Sequence, residues 1–463
     1  MDAPDPRPGR PDAGPRTLGP RLVVAGTHSG VGKTTVATGL MAALAARGLV
    51  VAAAKVGPDF IDPGYHSLAT GRPSRNLDPW ICGEAAVAPL AARAGAGADV
   101  LVVEGVMGLF DGAADDGATA STAHVARLLS APVVLVVDVG AMSGSVAAVV
   151  HGFTTFDPSV QVAGVILNNV AGHGHEAMVR RALGDTGVAI LGAVRRDPAL
   201  RWRERHLGLV PVVERPEQVR RSVELVADAI GAGCDLEAVI GLARLAPPIA
   251  APPPPEARPS GRAVVAVAGG PAFSFAYPDN LEALEQAGAV LAPFDPVRDP
   301  SLPDGATGLV AGGGFPEVFA EALAANRPLL ADVRRRVAAG LVVWAECGGL
   351  LWLSRSLDGH AMCGALPAEG RLTDRLTLGY RRALATTSGP LAPSGAPLRG
   401  HEFHYSVLEP PGEALELDGR SGPTRAGFVS PSVMASYLHL HLGGDPGPAE
   451  RFVATAAAAA RPS

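Results

Sequence analysis

The segment from Gly26 to Thr35, GTHSGVGKTT, follows a short apolar run and precedes a stretch with helical spacing. Backbone N–H groups of a glycine-rich loop before a helix bind phosphate oxygens, and the lysine and hydroxyl of the motif reach the outer phosphates and Mg²⁺. We therefore predict a nucleotide site here. Its predicted contacts are Thr27, Ser29, Gly30, Val31, Gly32, Lys33, Thr34 and Thr35. Thr27 stands where the commonest form of the motif has glycine.

Acidic residues follow the next two apolar runs. Asp59 and Asp62 come after the run containing Lys55, and Glu104 ends the following one. Because the carboxyl ends of parallel strands face one ligand crevice, these side chains are expected beside the phosphate loop. Thr34, Asp59 and Glu104 are predicted to bind Mg²⁺, with loop capping as the alternative for both acids. Lys55 is predicted to neutralise phosphate charge.

Lys33 and Lys55 are the only lysines among 39 basic residues. Their retention indicates positions where a compact ammonium group cannot be replaced by a planar guanidinium. Asn168 ends a later apolar run and is a candidate for contact with the nucleotide base. The alternative is that Asn168 and Asn169 cap the turn before Gly172.

A second set of reactive residues lies in the segment 341–356, LVVWAECGGLLWLSRS. An apolar run leads into Cys347, and two glycines and an apolar helical stretch follow. This is the layout of a nucleophile elbow, in which a tight strand-to-helix turn exposes the nucleophile beside oxyanion-stabilising N–H groups. A helix N-terminus also favours the thiolate. Cys347 is therefore a predicted nucleophile, and the glycine run 312–314 is a predicted source of further donors.

A thiolate nucleophile needs a base, normally histidine. The segment MASYLHLHLGG, 434–444, offers His439 and His441, two positions apart. Only one of them is expected to face the cysteine. No acid stands two positions after His439, so the usual third partner is missing there. His401 and His404 are the remaining candidates, as substrate contacts or structural residues.

Two series of alternating strands and helices are predicted to position these residues, which makes the fold class α/β. The predicted strands are continuous apolar runs, as in buried parallel sheets. They span 22–26, 50–57, 98–105, 131–140, 162–170 and 188–194 in the first half, and 263–269, 288–294, 308–314 and 341–349 in the second. The predicted helices span 34–47, 216–230, 279–287 and 328–339.

The proline-rich segment 247–262 can neither continue a helix nor form a central strand, so it is predicted to be a linker. It separates predicted domains at 21–246 and 263–445. A disordered leader, 1–20, and a C-terminal tail, 446–463, are predicted to flank them.

Composition narrows the function classes. With 48% hydrophobic and 18% charged residues, the chain is typical of a soluble globular protein, and no apolar run is long enough to cross a membrane. The net charge of −6 argues against nucleic-acid or acidic-membrane partners. The four cysteines lack the spacing of a disulfide framework or metal site, so a reducing cytoplasm is predicted.

Taken together, the motifs resemble the cobyrinic acid a,c-diamide synthase family, including its hydrogenobyrinic acid a,c-diamide synthase members. The resemblance extends from Arg21 to about Gly444. The segments that carry it are GTHSGVGKTT, KVGPDFIDPGYH, LVVEGVMGLFDG, ILNNV, FSFAYPDNLEALEQAGA, GGGFPE, WAECGGL, LGYRRA, GHEFHYS and SYLHLH.

The resemblance implies a first domain similar to dethiobiotin synthetase, a doubly wound parallel sheet whose phosphate loop starts with Gly26 and Thr27 in this chain. It implies a second domain similar to the class I glutamine amidotransferases, with Cys347 as nucleophile and His439 as base. It also implies that the usual acidic partner is absent, consistent with Leu440 and His441.

The implied reaction belongs to cobalamin biosynthesis. ATP, with Mg²⁺, converts a carboxylate into an acyl phosphate, and ammonia released from glutamine at Cys347 forms the amide. The a and c carboxylates of hydrogenobyrinic or cobyrinic acid would be amidated in turn. Because ammonia must cross between the domains without protonation, a closed and mostly apolar passage is expected.

The resemblance also implies where the corrin ring binds. The predicted substrate contacts are Asp62, Tyr65 and His66. A cluster of arginines in the second domain is either a set of carboxylate contacts or a solvated face. It comprises Arg371, Arg375, Arg381 and Arg382.

Related amidotransferases are the alternative reading: a cobyric acid synthase or a nickel-sirohydrochlorin a,c-diamide synthase would perform the same chemistry on another tetrapyrrole acid. A MinD- or ParA-like ATP switch is a second alternative. It would need a membrane-seeking or basic element, and it would have no use for a cysteine elbow. The sequence leaves open whether the ring holds cobalt and whether the chain forms a homodimer.

Overall fold

A computed structural model of the chain describes residues 16–113, 117–202, 204–205, 208–419 and 422–460. Numbered along the chain, the elements of the first half are β1 (Arg16–Leu18), β2 (Arg21–Gly26), α1 (Lys33–Ala46), β3 (Val51–Val56), α2 (Asp62–Thr70), β4 (Arg75–Leu77), α3 (Glu84–Ala94), β5 (Val100–Glu104), α4 (Thr122–Leu128), β6 (Val133–Asp138), α5 (Ser145–Thr155), β7 (Val162–Val170), α6 (His173–Leu183), β8 (Ala189–Arg195), β9 (Glu204–Arg205), β10 (Gly208–Leu209), α7 (Pro216–Gly233), α8 (Leu236–Arg244) and β11 (Ile249–Ala251).

The central sheet of the first half is parallel, in the order β4-β3-β5-β2-β6-β7-β8. The six strands predicted for this half are all present in it. Alternate residues of β2 serve opposite faces: Leu22 and Val24 belong to one hydrophobic cluster, and Val23 and Ala25 to the other. Since helices cover both faces, the strands are apolar throughout and not alternating.

The elements of the second half are β12 (Ala263–Ala268), α9 (Pro278–Gln286), β13 (Ala289–Phe294), β14 (Ala306–Ala311), α10 (Ala320–Ala325), α11 (Arg327–Ala338), β15 (Val342–Glu346), α12 (Gly348–Leu353), β16 (Ser356–Leu357), β17 (His360–Ala361), β18 (Glu369–Ala385), β19 (Pro397–Glu409), β20 (Leu415–Leu417), β21 (Thr424–Ala426), β22 (Phe428–Val429), β23 (Val433–Ser436), β24 (His439–Leu440) and α13 (Gly447–Ala459).

The second half holds one sheet in the order β13-β12-β14-β15-β23-β22, parallel except for the β22–β23 pair. A second sheet is built on the long antiparallel pair β18 and β19, and β24 joins it at β19. The sequence analysis did not predict this second sheet. Its strands alternate polar and apolar residues and lack the continuous apolar runs on which the prediction relied.

Two boundary segments carry more structure than expected. β1 lies in the predicted disordered leader, yet it pairs antiparallel with β11 of the proline-rich segment. The prediction of disorder was therefore wrong for Arg16–Leu18. Such a short strand is held by pairing with its partner strand and does not require a long apolar run, so the sequence pattern did not reveal it. α13 lies in the predicted tail, and its Phe452 and Val453 are buried in the core of the second half.

The two domains contact each other through polar and aromatic residues. Arg75, on β4, pairs at 2.6 Å with both Asp279 and Glu282 of α9. The Tyr380 hydroxyl donates to a carboxylate oxygen of Asp78 at 2.9 Å. Helices that could span a membrane by length and apolar character are not found in the described ranges.

Candidate active sites

The phosphate loop follows the carboxyl end of β2 and connects it to α1. Gly30 and Gly32 have φ angles of 83° and 91°, which glycine adopts without strain. A Cβ atom on Gly26 would lie 2.6 Å from Cγ2 of Val31. The loop therefore requires glycine one position before Thr27.

The side chains of the loop turn toward a few fixed partners. Lys33 is buried and its ammonium donates to the carbonyl of His28 at 3.3 Å. Burial and the neighbouring Lys55 lower the pKa of Lys33. The amide of Asn168 donates to the carbonyl of Val31 at 2.8 Å, so it braces the loop and does not cap the turn before Gly172.

A buried cluster of charges lies beside the loop, as the order of the strands predicts. The Lys55 ammonium donates to Asp62 at 2.6 Å and to Glu104 at 2.9 Å. The Thr34 hydroxyl donates to the same Glu104 oxygen at 2.7 Å. Burial opposes the charge on Lys55, but the Asp62 and Glu104 carboxylates outweigh it and raise the Lys55 pKa.

The two carboxylates of this cluster titrate in opposite directions. Burial and the nearby Asp59 raise the pKa of Asp62 to about 7. Glu104 is fully buried, but its contacts with Lys55 and His66 lower its pKa. Glu104 therefore keeps its charge, and Asp62 is the carboxylate that takes up a proton near neutral pH.

Three residues of the segment 59–66 have internal partners. One Asp59 oxygen caps α2, accepting from the N–H groups of Ile61 and Asp62 at 2.7 and 3.0 Å. His66 is fully buried and lies 2.5 Å from Glu104. Tyr65 is 2% exposed and donates to the carbonyl of Val210 at 2.7 Å. Tyr65 and His66 thus contact the chain itself and not an open surface.

The oxygen atoms near the loop suit Mg²⁺, which takes few protein ligands beside phosphate and water oxygens. The Thr34 hydroxyl and the Glu104 carboxylate are adjacent, and Asp59 has a second oxygen that does not cap α2. Across the described ranges, groups of three or more His, Cys, Asp or Glu residues able to hold a metal are not found.

The cysteine forms the turn between β15 and α12. Cys347 has φ 48° and ψ −97°, a conformation that costs a non-glycine residue free energy and is characteristic of functional turns. The chain around it is tightly packed: a Cβ on Gly349 would lie 2.0 Å from the carbonyl oxygen of Ala311. The glycine run 312–314 also reaches this turn, since a Cβ on Gly348 would lie 3.1 Å from the Gly314 nitrogen.

His439 is the histidine that faces the cysteine. It is 2% exposed, lies close enough to Cys347 to interact with its thiol group, and belongs to β24 beside β19. His441 faces the other way, with Nδ1 3.2 Å from the sulfur of Cys82. Only His439 therefore faces the cysteine; β24 ends at Leu440, so the side-chain alternation of a strand does not extend to His441.

Glu346, immediately before the nucleophile, brings a carboxylate next to the imidazole of His439. Its Oε2 lies 3.3 Å from Nδ1 of His439, and Oε1 accepts from the Leu440 N–H at 3.0 Å. The expectation that no acid stands two positions after His439 is confirmed, since His441 occupies that position; the acid near the imidazole comes from another strand. The one available signal was the acid adjoining Cys347 in WAECGG.

The remaining candidates are more peripheral. Arg381 pairs with Glu402 at 2.8 Å, and Arg382 lies over the Trp80 ring at 5.8 Å. Arg371 and Arg375 are exposed on β18. His404 stacks on the Tyr437 ring at 3.7 Å; His401, its neighbour on β19, is also buried.

One aromatic side chain connects the two sites. Phe60 lies between Asp59 and Asp62 in the chain, and its ring is 4.9 Å from the imidazole of His439. The same ring stacks on Tyr277 at 4.3 Å and on Phe275 at 5.3 Å. The phosphate site and the cysteine site are therefore separated by apolar rings at the domain interface.

Comparison with known proteins gives a consistent result for both halves. Residues 22–210 match the CobQ/CobB/MinD/ParA nucleotide binding domain, and residues 264–447 match the CobB/CobQ-like glutamine amidotransferase domain. A hydrogenobyrinate a,c-diamide synthase of Streptomyces coelicolor is 51% identical, over 94% of this chain and 97% of that protein.

Two further relatives agree. The hydrogenobyrinate a,c-diamide synthase of Thermobifida fusca is 49% identical, over 95% of this chain and 97% of that protein. The cobyrinate a,c-diamide synthase of Syntrophotalea carbinolica is 44% identical, over 94% of this chain and 98% of that protein. This chain is a member of the hydrogenobyrinate and cobyrinate a,c-diamide synthase family of amidating ligases.

Proposed function

We propose that the protein uses ATP and glutamine to amidate the a and c carboxylates of hydrogenobyrinic acid. The observation that carries the proposal is the pairing of the two sites: a phosphate loop with a buried charge cluster, and a Cys347–His439 pair, joined through Phe60. Three relatives that are 46% to 51% identical to this chain bear the name hydrogenobyrinate a,c-diamide synthase, which favours the cobalt-free acid over cobyrinic acid.

In the first domain, the phosphate-loop N–H groups and Lys33 would hold the ATP phosphates, and Thr34 and Glu104, with Asp59, would hold Mg²⁺, which supplies neutralising charge when bound. A substrate carboxylate oxygen attacks the γ-phosphorus, ADP leaves, and an acyl phosphate forms. Lys55 stabilises the negative charge that accumulates on the transferring group.

In the second domain, the Cys347 sulfur attacks the side-chain amide carbon of glutamine. The carbon–nitrogen bond breaks, His439 gives its proton to the departing nitrogen, and ammonia leaves. Water then hydrolyses the thioester, which releases glutamate and restores the thiol. Ammonia attacks the acyl phosphate, and phosphate leaves as the amide forms. Two such cycles consume two molecules each of ATP and glutamine.

The passage of ammonia belongs to the same proposal. Neutral ammonia would pass beside Phe60, Phe275 and Tyr277, whose rings offer little to protonate or retain it. Among the predicted substrate contacts, Asp62 belongs to the charge cluster and His66 contacts its Glu104. Tyr65 and His66 would act by positioning the segment 59–66. A cytoplasmic location and the absence of nucleic-acid and membrane partners stay predictions, and whether the chain forms a homodimer stays open.

The direct test is incubation of the purified protein with ATP, Mg²⁺, glutamine and either hydrogenobyrinic or cobyrinic acid, followed by mass spectrometry. We expect hydrogenobyrinic acid to gain two amides, with two ADP and two glutamate per product. A product from cobyrinic acid alone would overturn the choice of ring. No mass change with either acid would contradict the proposed function.

A further inference from the structure

The carboxylate of Glu346 is held from three directions. Its Oε1 accepts from the Leu440 N–H at 3.0 Å and from the Trp344 indole N–H at 2.9 Å. Its Oε2 lies 3.3 Å from Nδ1 of His439. The side chain is 9% exposed, so these contacts are made largely out of water, where charge interactions are strong.

We propose that Glu346 is the third member of the cysteine site, a positioning residue that fixes the ring of His439 and stabilises its imidazolium form. Binding of Nδ1 by the carboxylate leaves Nε2 as the nitrogen that exchanges a proton with Cys347. This inference rests on the proposed glutaminase function of the second domain. It places the acid on the strand of the nucleophile and not on the strand of the histidine.

The backbone explains how neighbouring residues can both reach one imidazole. Successive side chains of a regular strand point to opposite faces. β15 ends at Glu346, and the φ of 48° at Cys347 breaks this alternation. Since β15 runs parallel to β23, with Glu346 opposite Ser436, the chain continuing from Ser436 to His439 passes both side chains.

The other buried acids of the region have different partners. Glu402 pairs with Arg381 at 2.8 Å, and Asp279 pairs with Arg75 at 2.6 Å. The residue two positions after His439, where an acid would be usual, is His441, and it turns toward Cys82. Glu346 is therefore the acid whose geometry fits the role.

The charges around His439 support the imidazolium form. Burial lowers its pKa, but the contacts with Cys347 and Glu346 outweigh burial and raise the pKa to about 10. The titratable groups that face His439 are Cys347 and Glu346 from the β15–α12 turn and His401, Glu402 and His404 from β19. Phe60, from the first domain, carries no charge.

The test is Glu346→Gln, which keeps size and hydrogen-bonding capacity but removes the charge. Glutamate release from glutamine is measured without ATP or the corrin acid, so the assay does not depend on the first domain. We expect kcat/KM for glutamine to fall roughly 10²-fold, within the range that a positioned acid-base pair supplies. Ammonia-dependent amidation should stay unchanged.

A second readout separates positioning from a structural role. Alkylation of Cys347 by iodoacetamide, followed by peptide mass spectrometry across pH, reports how readily its thiolate forms. In Glu346→Gln the midpoint should rise by about one pH unit, because the imidazolium that stabilises the thiolate is lost. Glu346→Asp, which keeps the charge, should restore part of the wild-type profile.

Asp332→Asn is the matched control. Asp332 is another buried carboxylate of this domain that accepts a backbone N–H at 3.0 Å, from Leu302, but its partners Arg335 and Arg336 lie on α11. It should leave glutamine hydrolysis and the alkylation midpoint unchanged. Glu346→Gln with an unchanged midpoint and more than a third of wild-type kcat/KM would overturn the proposal. Wild-type protein without glutaminase activity would instead contradict the proposed function.

Discussion

The phosphate site and the cysteine site differ in how they stabilise buried charged groups. At the phosphate site, Lys55, Asp62 and Glu104 come from two strands and a helix, and each buried charge has opposite charges within hydrogen-bonding distance. At the cysteine site, two consecutive residues of one strained turn meet a single histidine. The arrangement of the first site depends on a network of ion pairs, and that of the second depends on the backbone conformation of one residue, Cys347.

This difference predicts how separable the two sites are. A network that neutralises phosphate should matter for amidation from either nitrogen source, whereas the cysteine turn should matter for glutamine alone. The interface between them, where Phe60 meets His439, should matter for stability and for joining the two reactions.

Lys33→Arg should have the largest effect. A guanidinium is planar and broader than an ammonium, so it cannot occupy the narrow loop in the same way. We expect the rate of amidation to fall roughly 10²- to 10³-fold with both glutamine and ammonia, because the positive charge would no longer lie where it stabilises the reacting phosphate. Steady-state rates with each nitrogen source measure this effect.

Arg47→Lys is the control for that substitution, since Arg47 caps the other end of α1 and its side chain is 44% exposed. It should leave both rates unchanged. Glutamate release by Lys33→Arg should also stay near wild type, and a parallel loss of glutaminase activity would mean that the two sites are not separable.

Arg75→Ala should destabilise the domain interface. The substitution leaves Asp279, which is fully buried at its side chain, without its closest cation. Breaking one partner of a buried ion pair costs about 3–5 kcal/mol. Denaturant unfolding should show this loss, and exposed Arg298→Ala, which removes a surface pair with Asp295, should change stability by less than about 1 kcal/mol. Equal effects of the two substitutions would mean that the interface pair is not tightly coupled.

A smaller effect is expected from pH. The pKa of Asp62 is raised from 3.8 to about 7, so the folded state holds its proton over a pH range in which the unfolded chain has released it. This contribution to stability is present below about pH 4 and is lost as the pH rises through about 7. The Tm of the wild type relative to Asp62→Asn should therefore fall over this interval, by roughly 2–4 °C.

Asp185→Asn serves as the control for that series, because Asp185 is exposed and should leave the pH dependence of Tm unchanged. A wild-type Tm that rises relative to Asp62→Asn over the same interval would show that Lys55 dominates Asp62 more strongly than burial does.

How far the sequence predicted each site follows from how local its chemistry is. The phosphate loop could be predicted directly, because the segment from Gly26 to Thr35 contains all of its functional groups. The position of Glu104 beside the loop could be predicted from the order of the strands. The contacts of Tyr65 and His66 within the chain could not be predicted from the sequence, because they depend on how α2 packs. The contact of Glu346 with His439 could not be predicted, because only the strained turn at Cys347 brings two consecutive side chains to one histidine.

In the proposed reaction, nitrogen leaves glutamine at Cys347 and joins an activated carboxylate in the other domain. The most direct test supplies amide-¹⁵N glutamine and unlabelled ammonium in one tube, with ATP, Mg²⁺ and hydrogenobyrinic acid, to wild type and to Cys347→Ser. We predict ¹⁵N in the amides made by the wild type, and amides without ¹⁵N, still formed from ammonium, with Cys347→Ser. Label in the Cys347→Ser product, or no product from that variant, would contradict the account.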